Sequence, residues 1–168
     1  AYDWIFFDAD GTLLDFAAAE QHGLEHTFRQ FGYPFDETIR KRYMEINHGL
    51  WKDFERGRIT KDDVLNQRFS RLFQEIGVVR GENDKAFEEA YQNALANGAD
   101  VTEGAEEVLS YLKGKYSLYV ATNGVASTQY RRLEMSGLKR YFDGIFVSEE
   151  IGFQKPQKEY FSACFAQI

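Results

Sequence analysis

Trp4-Ile5-Phe6-Phe7-Asp8-Ala9-Asp10-Gly11-Thr12 is the stretch that decides how this chain folds. Its four leading apolar residues read as a parallel β-strand buried on both faces, because such strands carry continuous rather than alternating apolar runs. The run ends in an acidic pair. In open α/β sheets the ligand crevice lies beyond the carboxyl ends of the strands, so Asp8 and Asp10 stand where a site is expected. Residues two apart on extended backbone point to the same side, which lets both carboxylates share one small space. Like charges so placed are costly unless a cation bridges them, and a hard cation with oxygen ligands, above all Mg2+, meets that need. A carboxylate can also attack phosphorus directly. Taken alone, Asp-x-Asp-Gly is equally an ordinary acidic turn.

Outward from this strand, residues 16 to 95 read as helices with no strand among them. Leu24, Phe28 and Phe31 keep helical spacing, as do Ile39, Tyr43, Ile46 and Leu50. Leu65, Phe69, Leu72 and Ile76 form a third stripe, opened by Thr60 with Asp63 three later and closed by Gly77. Phe87, Tyr91 and Leu95 make a fourth, and four such helices predict a bundle with its own small core.

The α/β pattern resumes at the turn-rich Asn97-Gly98-Ala99-Asp100. A helix with Val108, Leu109 and Leu112 ends at Gly114, and a strand runs from Ser117 to Ala121, stopping at Thr122-Asn123-Gly124. A helix with Tyr130 and Leu133 ends at Gly137; the strand Gly144 to Val147 then leads through Ile151-Gly152 to Lys155-Pro156 and a last helix. Strand and helix in alternation predict an α/β fold, a Rossmann-like parallel sheet with right-handed crossovers. The expected core is 1–15 with 98–168, and the expected insert is the helical bundle 16–97.

The length of 168 residues suits one domain carrying such an insert. A formal net charge of -7 argues against a nucleic-acid polymer as partner, since nothing offsets backbone phosphate repulsion. A small phosphate substrate then requires local positive charge. The one cysteine, Cys164, excludes an internal disulfide and falls beside Phe161 and Phe165 on a helical stripe, which places it in the core. The longest early apolar stretch is far too short to span a bilayer, and no basic, apolar leader precedes it, so the expectation is a cytoplasmic protein without membrane attachment. Oligomeric state has no signature here.

Two further strand ends carry chemistry. Thr122-Asn123-Gly124 offers a hydroxyl, an amide and backbone N–H groups that can bind phosphate oxygens where a helix starts, although such residues also simply cap helices. Lys155 precedes a proline that fixes the backbone and helps present the amine. His22 and His26, four apart on a helix, could bind zinc together, but no Cys joins them and His48 is distant in sequence. Glu103, Glu106 and Glu107 read as a solvated helix start favoured by the helix dipole.

The ordered set Asp8-Ala9-Asp10-Gly11-Thr12, Thr122 and Lys155 resembles the first three motifs of the haloacid dehalogenase superfamily, and the insert resembles its C1-type helical cap. That resemblance implies a phosphatase in which Asp8 is nucleophile and metal ligand. It implies that Asp10 is general acid and base, binding magnesium through its backbone carbonyl, that Thr122 and Asn123 hold the phosphate and that Lys155 balances charge. Dehalogenating members lack the second aspartate, so Asp10 favours phosphoryl transfer.

A closer resemblance covers nearly the whole chain. Asp3 to Asp10, Leu50-Trp51 with Asp53, Gly57 with Ile59-Thr60, and Arg68-Phe69 look like the YjjG/YfnB group of pyrimidine 5′-nucleotidases. Arg132-Leu133-Glu134, Ser136-Gly137-Leu138, Tyr141-Phe142-Asp143 and Val147-Ser148-Glu149-Glu150 support it. The implied substrate is a nucleoside monophosphate. A small-metabolite phosphatase such as one for phosphoglycolate, a sugar-phosphate mutase and a non-catalytic binding domain are the rival readings. Trp51 and Tyr43 fit either a base-stacking role or the cap core. The superfamily's fourth motif, an acidic pair completing the magnesium site, has no counterpart before Ile168, so the expectation is a chain short of strands and metal ligands and, as written, poorly stable and nearly inactive.

Overall fold

The structure, a computed structural model, describes residues 2–78 and 83–168. Three strands, β1 (Trp4–Phe7), β2 (Ser117–Thr122) and β3 (Gly144–Val147), form a parallel sheet in the order β1-β2-β3. Trp4 pairs with Ser117 and Phe7 with Val120, while Tyr119 pairs with Gly144 and Thr122 with Val147. The α/β reading is borne out. β2 runs one residue past the expected Ala121, because Thr122 still finds a ladder partner in Val147.

The continuous apolar strand sequences follow from cover on both faces. Alternate residues Ile5, Phe7, Leu118, Val120 and Ile145 join one cluster, with Leu109 of α5 (Ala105–Leu112) and Leu133 of α6 (Ala126–Met135). Phe6, Tyr119, Ala121 and Phe146 join the other, with Tyr160 and Cys164 of α8 (Lys158–Phe165), so Cys164 is core as expected. Gly144 suits this packing: a Cβ there would stand 3.0 Å from the Tyr119 ring, which would have to give way slightly. β1 differs from its sequence reading in one respect. All four of its residues are half-buried rather than fully buried, because among the described residues β1 pairs on one side only.

Two compact units emerge, one of residues 1–21 with 95–168 and the other of residues 22–94. The divisions fall inside α1 (Phe16–Phe31) and α4 (Asn83–Ala96), helices that run through both boundaries. Within the first unit, the outgoing and returning segments are tied together: Asp15 N–H donates to Asp100 O at 2.8 Å and Thr102 N–H to Leu13 O at 2.9 Å.

The helical unit contains α2 (Glu37–Glu55) and α3 (Lys61–Ile76) with parts of α1 and α4. Asp36 caps α2 by accepting from Ile39 N–H at 2.8 Å. Thr60 and Asp63 form the expected reciprocal capping box on α3, and Gly77 ends it at φ 77°, a left-handed conformation that suits glycine. The core is aromatic: Phe69 lies 4.9 Å from Tyr43, 4.7 Å from Phe87 and 5.1 Å from Tyr91, centroid to centroid. Tyr43 is therefore core, whereas Trp51 is half-buried edge-on to Phe54. No helix of the described residues is long and apolar enough to cross a membrane.

Candidate active site

All three parallel strands present their carboxyl ends at one edge of the sheet, and the predicted residues lie there. Asp8 follows β1 directly, Thr122 is the last residue of β2, and Lys155 follows the short helix α7 (Ser148–Ile151) that succeeds β3. Because Phe7 registers with Val120, Asp8 comes level with Ala121. Lys155 Nζ bridges that gap, donating to Ala121 O at 2.8 Å and pairing with Asp8 Oδ1 at 3.1 Å. The Asp8 side chain remains 53% exposed, with Ala9 N–H also donating to its Oδ1 at 2.9 Å. An open carboxylate, oriented by two donors on one oxygen, is suited to attack an incoming electrophile with the other.

The chain turns sharply after this point, as Leu13 N–H and Leu14 N–H both return to Ala9 O. Asp10 is carried onto different partners from those of Asp8. Its Oδ1 accepts from Arg132 Nη1, and its Oδ2 from Gln129 Nε2 at 3.0 Å. The sequence reading places both carboxylates in one space with a cation between them; in the fold each has a basic side chain of its own, Lys155 for Asp8 and Arg132 for Asp10.

Thr122 Oγ1 accepts from Gln129 Nε2 at 2.9 Å and from Gly124 N–H at 3.1 Å. With both lone pairs so used, the hydroxyl proton is what Thr122 can offer to an anion. The side chain of Asn123 is bonded within the protein. Its amide closes a two-point bond with the backbone of Lys155, Nδ2 donating to Lys155 O at 2.9 Å and Oδ1 accepting from Lys155 N–H at 2.9 Å. The side chain of Asn123 thus sets where the lysine stands. Beneath the strand ends, Tyr160 O–H donates to Phe146 O at 2.6 Å, and burial first, then neighbouring Cys164, pushes its phenol above the ordinary range.

The donors suit a hard cation. Asp8 offers open carboxylate oxygens, while among the described residues no group of three or more His, Cys, Asp or Glu gathers to hold a metal. Zinc sites are built from more protein ligands than that, whereas magnesium commonly takes one or two carboxylates and completes its shell with water and substrate oxygens. His22, His26 and His48 are all exposed on helices.

Gln129 and Arg132 have no place in the residue-by-residue reading of the sequence. The signal available was Arg132-Leu133-Glu134 among the matching stretches, together with the spacing of 129 and 132 on one helix face directly after Thr122-Asn123-Gly124.

Residues 2–168 match the haloacid dehalogenase-like hydrolase family. The chain is 45% identical to the HAD-hydrolase YfnB of Bacillus subtilis over 168 residues, 99% of this chain and 70% of YfnB. It is 38% identical to the pyrimidine 5′-nucleotidase PynA of Streptococcus pneumoniae and 34% identical to the pyrimidine 5′-nucleotidase YjjG of Escherichia coli. Both matches cover 99% of this chain, with 70% of PynA and 71% of YjjG. A crystal structure of YfnB bound to magnesium superposes with a TM-score of 0.94 at 43% identity, covering 99% of this chain and 74% of YfnB.

Proposed function

This chain belongs to the haloacid dehalogenase-like hydrolases, and from that membership we propose that it hydrolyses nucleoside 5′-monophosphates through a phosphoryl group carried on Asp8. The observation that carries the reading is the open carboxylate of Asp8, fixed by Lys155 across the strand ends with the Thr122 hydroxyl on the neighbouring strand.

In the first step Asp8 attacks phosphorus in line and the bond to the leaving ribose oxygen breaks. A protonated Asp10 gives that oxygen its proton. In the second step the Asp10 carboxylate takes a proton from water, the water oxygen attacks phosphorus, and the bond to Asp8 breaks, releasing inorganic phosphate. Lys155 and the Thr122 hydroxyl stabilise charge on the transferring oxygens, the kind of preorganised stabilisation that usually contributes most to the rate. Asn123 keeps Lys155 in register, and its own contact with phosphate belongs to this proposal. The Asp8 carboxylate and the Asp10 carbonyl would hold Mg2+, which when bound neutralises charge on the phosphate. With 1–15 and 98–168 as core, the insert 16–97 is assigned the role of a cap that selects the leaving group. A cytoplasmic enzyme of nucleotide metabolism fits these assignments.

A phosphate-release screen of the full-length protein with magnesium, against nucleoside monophosphates and sugar phosphates, tests the substrate class. Turnover of dUMP, UMP and dTMP above the sugar phosphates is expected, with Asp8→Asn lowering it by about 10⁴-fold or more, as loss of a nucleophile does. Indifference to all three nucleotides would remove the nucleotidase assignment.

A further inference from the structure

Two side chains on α6, neither used in the steps above, join Asp10 to Thr122. The amide nitrogen of Gln129 carries two hydrogens, and both are engaged, one with Thr122 Oγ1 and the other with Asp10 Oδ2. Its oxygen accepts from Arg132 Nη1 at 3.0 Å, and the same nitrogen donates to Asp10 Oδ1. Arg132 is anchored in turn: Nε donates to Gly98 O at 2.8 Å, and the guanidinium lies 5.6 Å from the centre of the Phe16 ring.

Burial gives this chain of contacts its force. The Arg132 side chain is 1% exposed and its Nη2 is buried with no partner among the described residues, whereas Asp10 is 31% exposed. An exposed aspartate ordinarily explores several rotamers, and a surface ion pair does little to prevent it. A guanidinium buried and anchored on Gly98 O fixes where its partner oxygen must lie, since no water competes for the bond. Both Asp10 oxygens are held by buried donors, which leaves their remaining lone pairs for the open side.

Gly124 belongs to the same device. A Cβ at that position would fall 2.7 Å from Cγ, Cδ and Nε2 of Gln129, so only glycine lets the amide lie across the strand end.

We infer that Gln129 and Arg132 are positioning residues, which fix the carboxylate of Asp10 at a set distance from the hydroxyl of Thr122. Thr122 locates the phosphate and Asp10 serves the oxygen attached to it, so the amide bridge couples the two. The inference rests on Asp10 being the acid and base of the proposed reaction.

The test compares two substrates on the full-length protein with magnesium. A nucleoside 5′-monophosphate leaves as a basic alkoxide that needs a proton, while p-nitrophenyl phosphate leaves as a weakly basic phenolate that does not. Proton transfer by a positioned group contributes roughly 10²–10⁴-fold, so Gln129→Met and Arg132→Met should each lower kcat/KM for the nucleotide by about 10²-fold. For p-nitrophenyl phosphate the loss should stay under about 5-fold, since no such transfer is needed. Adding Arg132→Met to Asp10→Asn should cost less than about 3-fold more, as expected of residues that act as a unit. Gly124→Ala, which displaces Gln129 without removing a charge, should reproduce the selectivity even if Arg132→Met does not fold. Equal losses on both substrates, or losses that add to that of Asp10→Asn, would overturn the inference. If Asp10→Asn itself shows no preference between the substrates, the reading of Asp10 falls and this falls with it; if Asp10→Asn shows the preference and the α6 variants do not, this alone falls.

Discussion

Each unit of the chain buries an arginine, and the two are treated differently. In the helical unit, Arg68 of α3 donates through Nε and Nη2 to Glu88 of α4, and through Nη1 to Asn47 of α2 at 3.1 Å. Its side chain is 3% exposed and that of Glu88 is 11% exposed, with the Phe69 and Tyr91 rings 5.5 Å and 5.1 Å from the guanidinium. Gln92 Nε2 adds a bond to Glu88 Oε1 at 3.0 Å, and the set ties three helices together. In the sheet unit, Arg132 is as deeply buried, yet its carboxylate partner opens to solvent and one of its nitrogens has no partner among the described residues. A buried arginine facing a buried glutamate holds a bundle in register. One that faces an accessible aspartate at a strand tip holds, on the reading proposed above, a reactive group in place.

The largest effect that could break this contrast is on stability. Arg68→Met leaves Glu88 buried and uncompensated and should cost about 3–5 kcal/mol, read from urea denaturation, because removing one partner of a buried pair strands the other. Adding Glu88→Leu should recover most of that loss, since an apolar pair of similar volume replaces a buried ion pair at little cost. Turnover by the folded protein should show none of the substrate preference expected for Arg132→Met. A leaving-group-selective loss in Arg68→Met would erase the distinction between the two arginines.

A glycine in each unit gives the smaller effects. A Cβ on Gly98 would meet Ala19 Cβ at 2.5 Å and its Cα at 3.0 Å, and the same residue offers its carbonyl to Arg132. Gly98→Ala should therefore lose about 1–3 kcal/mol, the usual range for overpacking, with melting temperature as the readout. Gly49, inside α2, has open space where its Cβ would be. Gly49→Ala should gain about 0.5–1 kcal/mol by restoring helix propensity. The smaller the neighbouring space, the more a glycine is required, and these two mark the ends of that range.

Local features of the fold were legible in the sequence where a short pattern fixes the geometry. Trp4–Phe7 gave a strand because four apolar residues ended by Asp8 suit a parallel sheet covered on both faces. Thr60, Asp63 and Gly77 gave the ends of α3 because capping bonds span fixed offsets. Asp8, Thr122 and Lys155 came together because parallel strands present their ends at one edge. Arg132 and Gln129 could not be placed in the same way. Their bonds to Asp10 span 122 and 119 residues and depend on the register of the sheet and the direction of α6, which no local spacing encodes. The role of Asn123 was hidden for a similar reason, since its amide meets backbone 32 residues away. The half-burial of β1 follows from sheet order, a property of the assembled strands rather than of Trp-Ile-Phe-Phe.

Central to the whole account is a covalent phosphoryl group on Asp8. Quenching the full-length protein during turnover of a nucleoside monophosphate and reducing it with tritiated borohydride converts an aspartyl phosphate to labelled homoserine. Peptide mapping should find that label at position 8 and lose it in Asp8→Asn. Label at another aspartate, or none while turnover proceeds, would contradict the account.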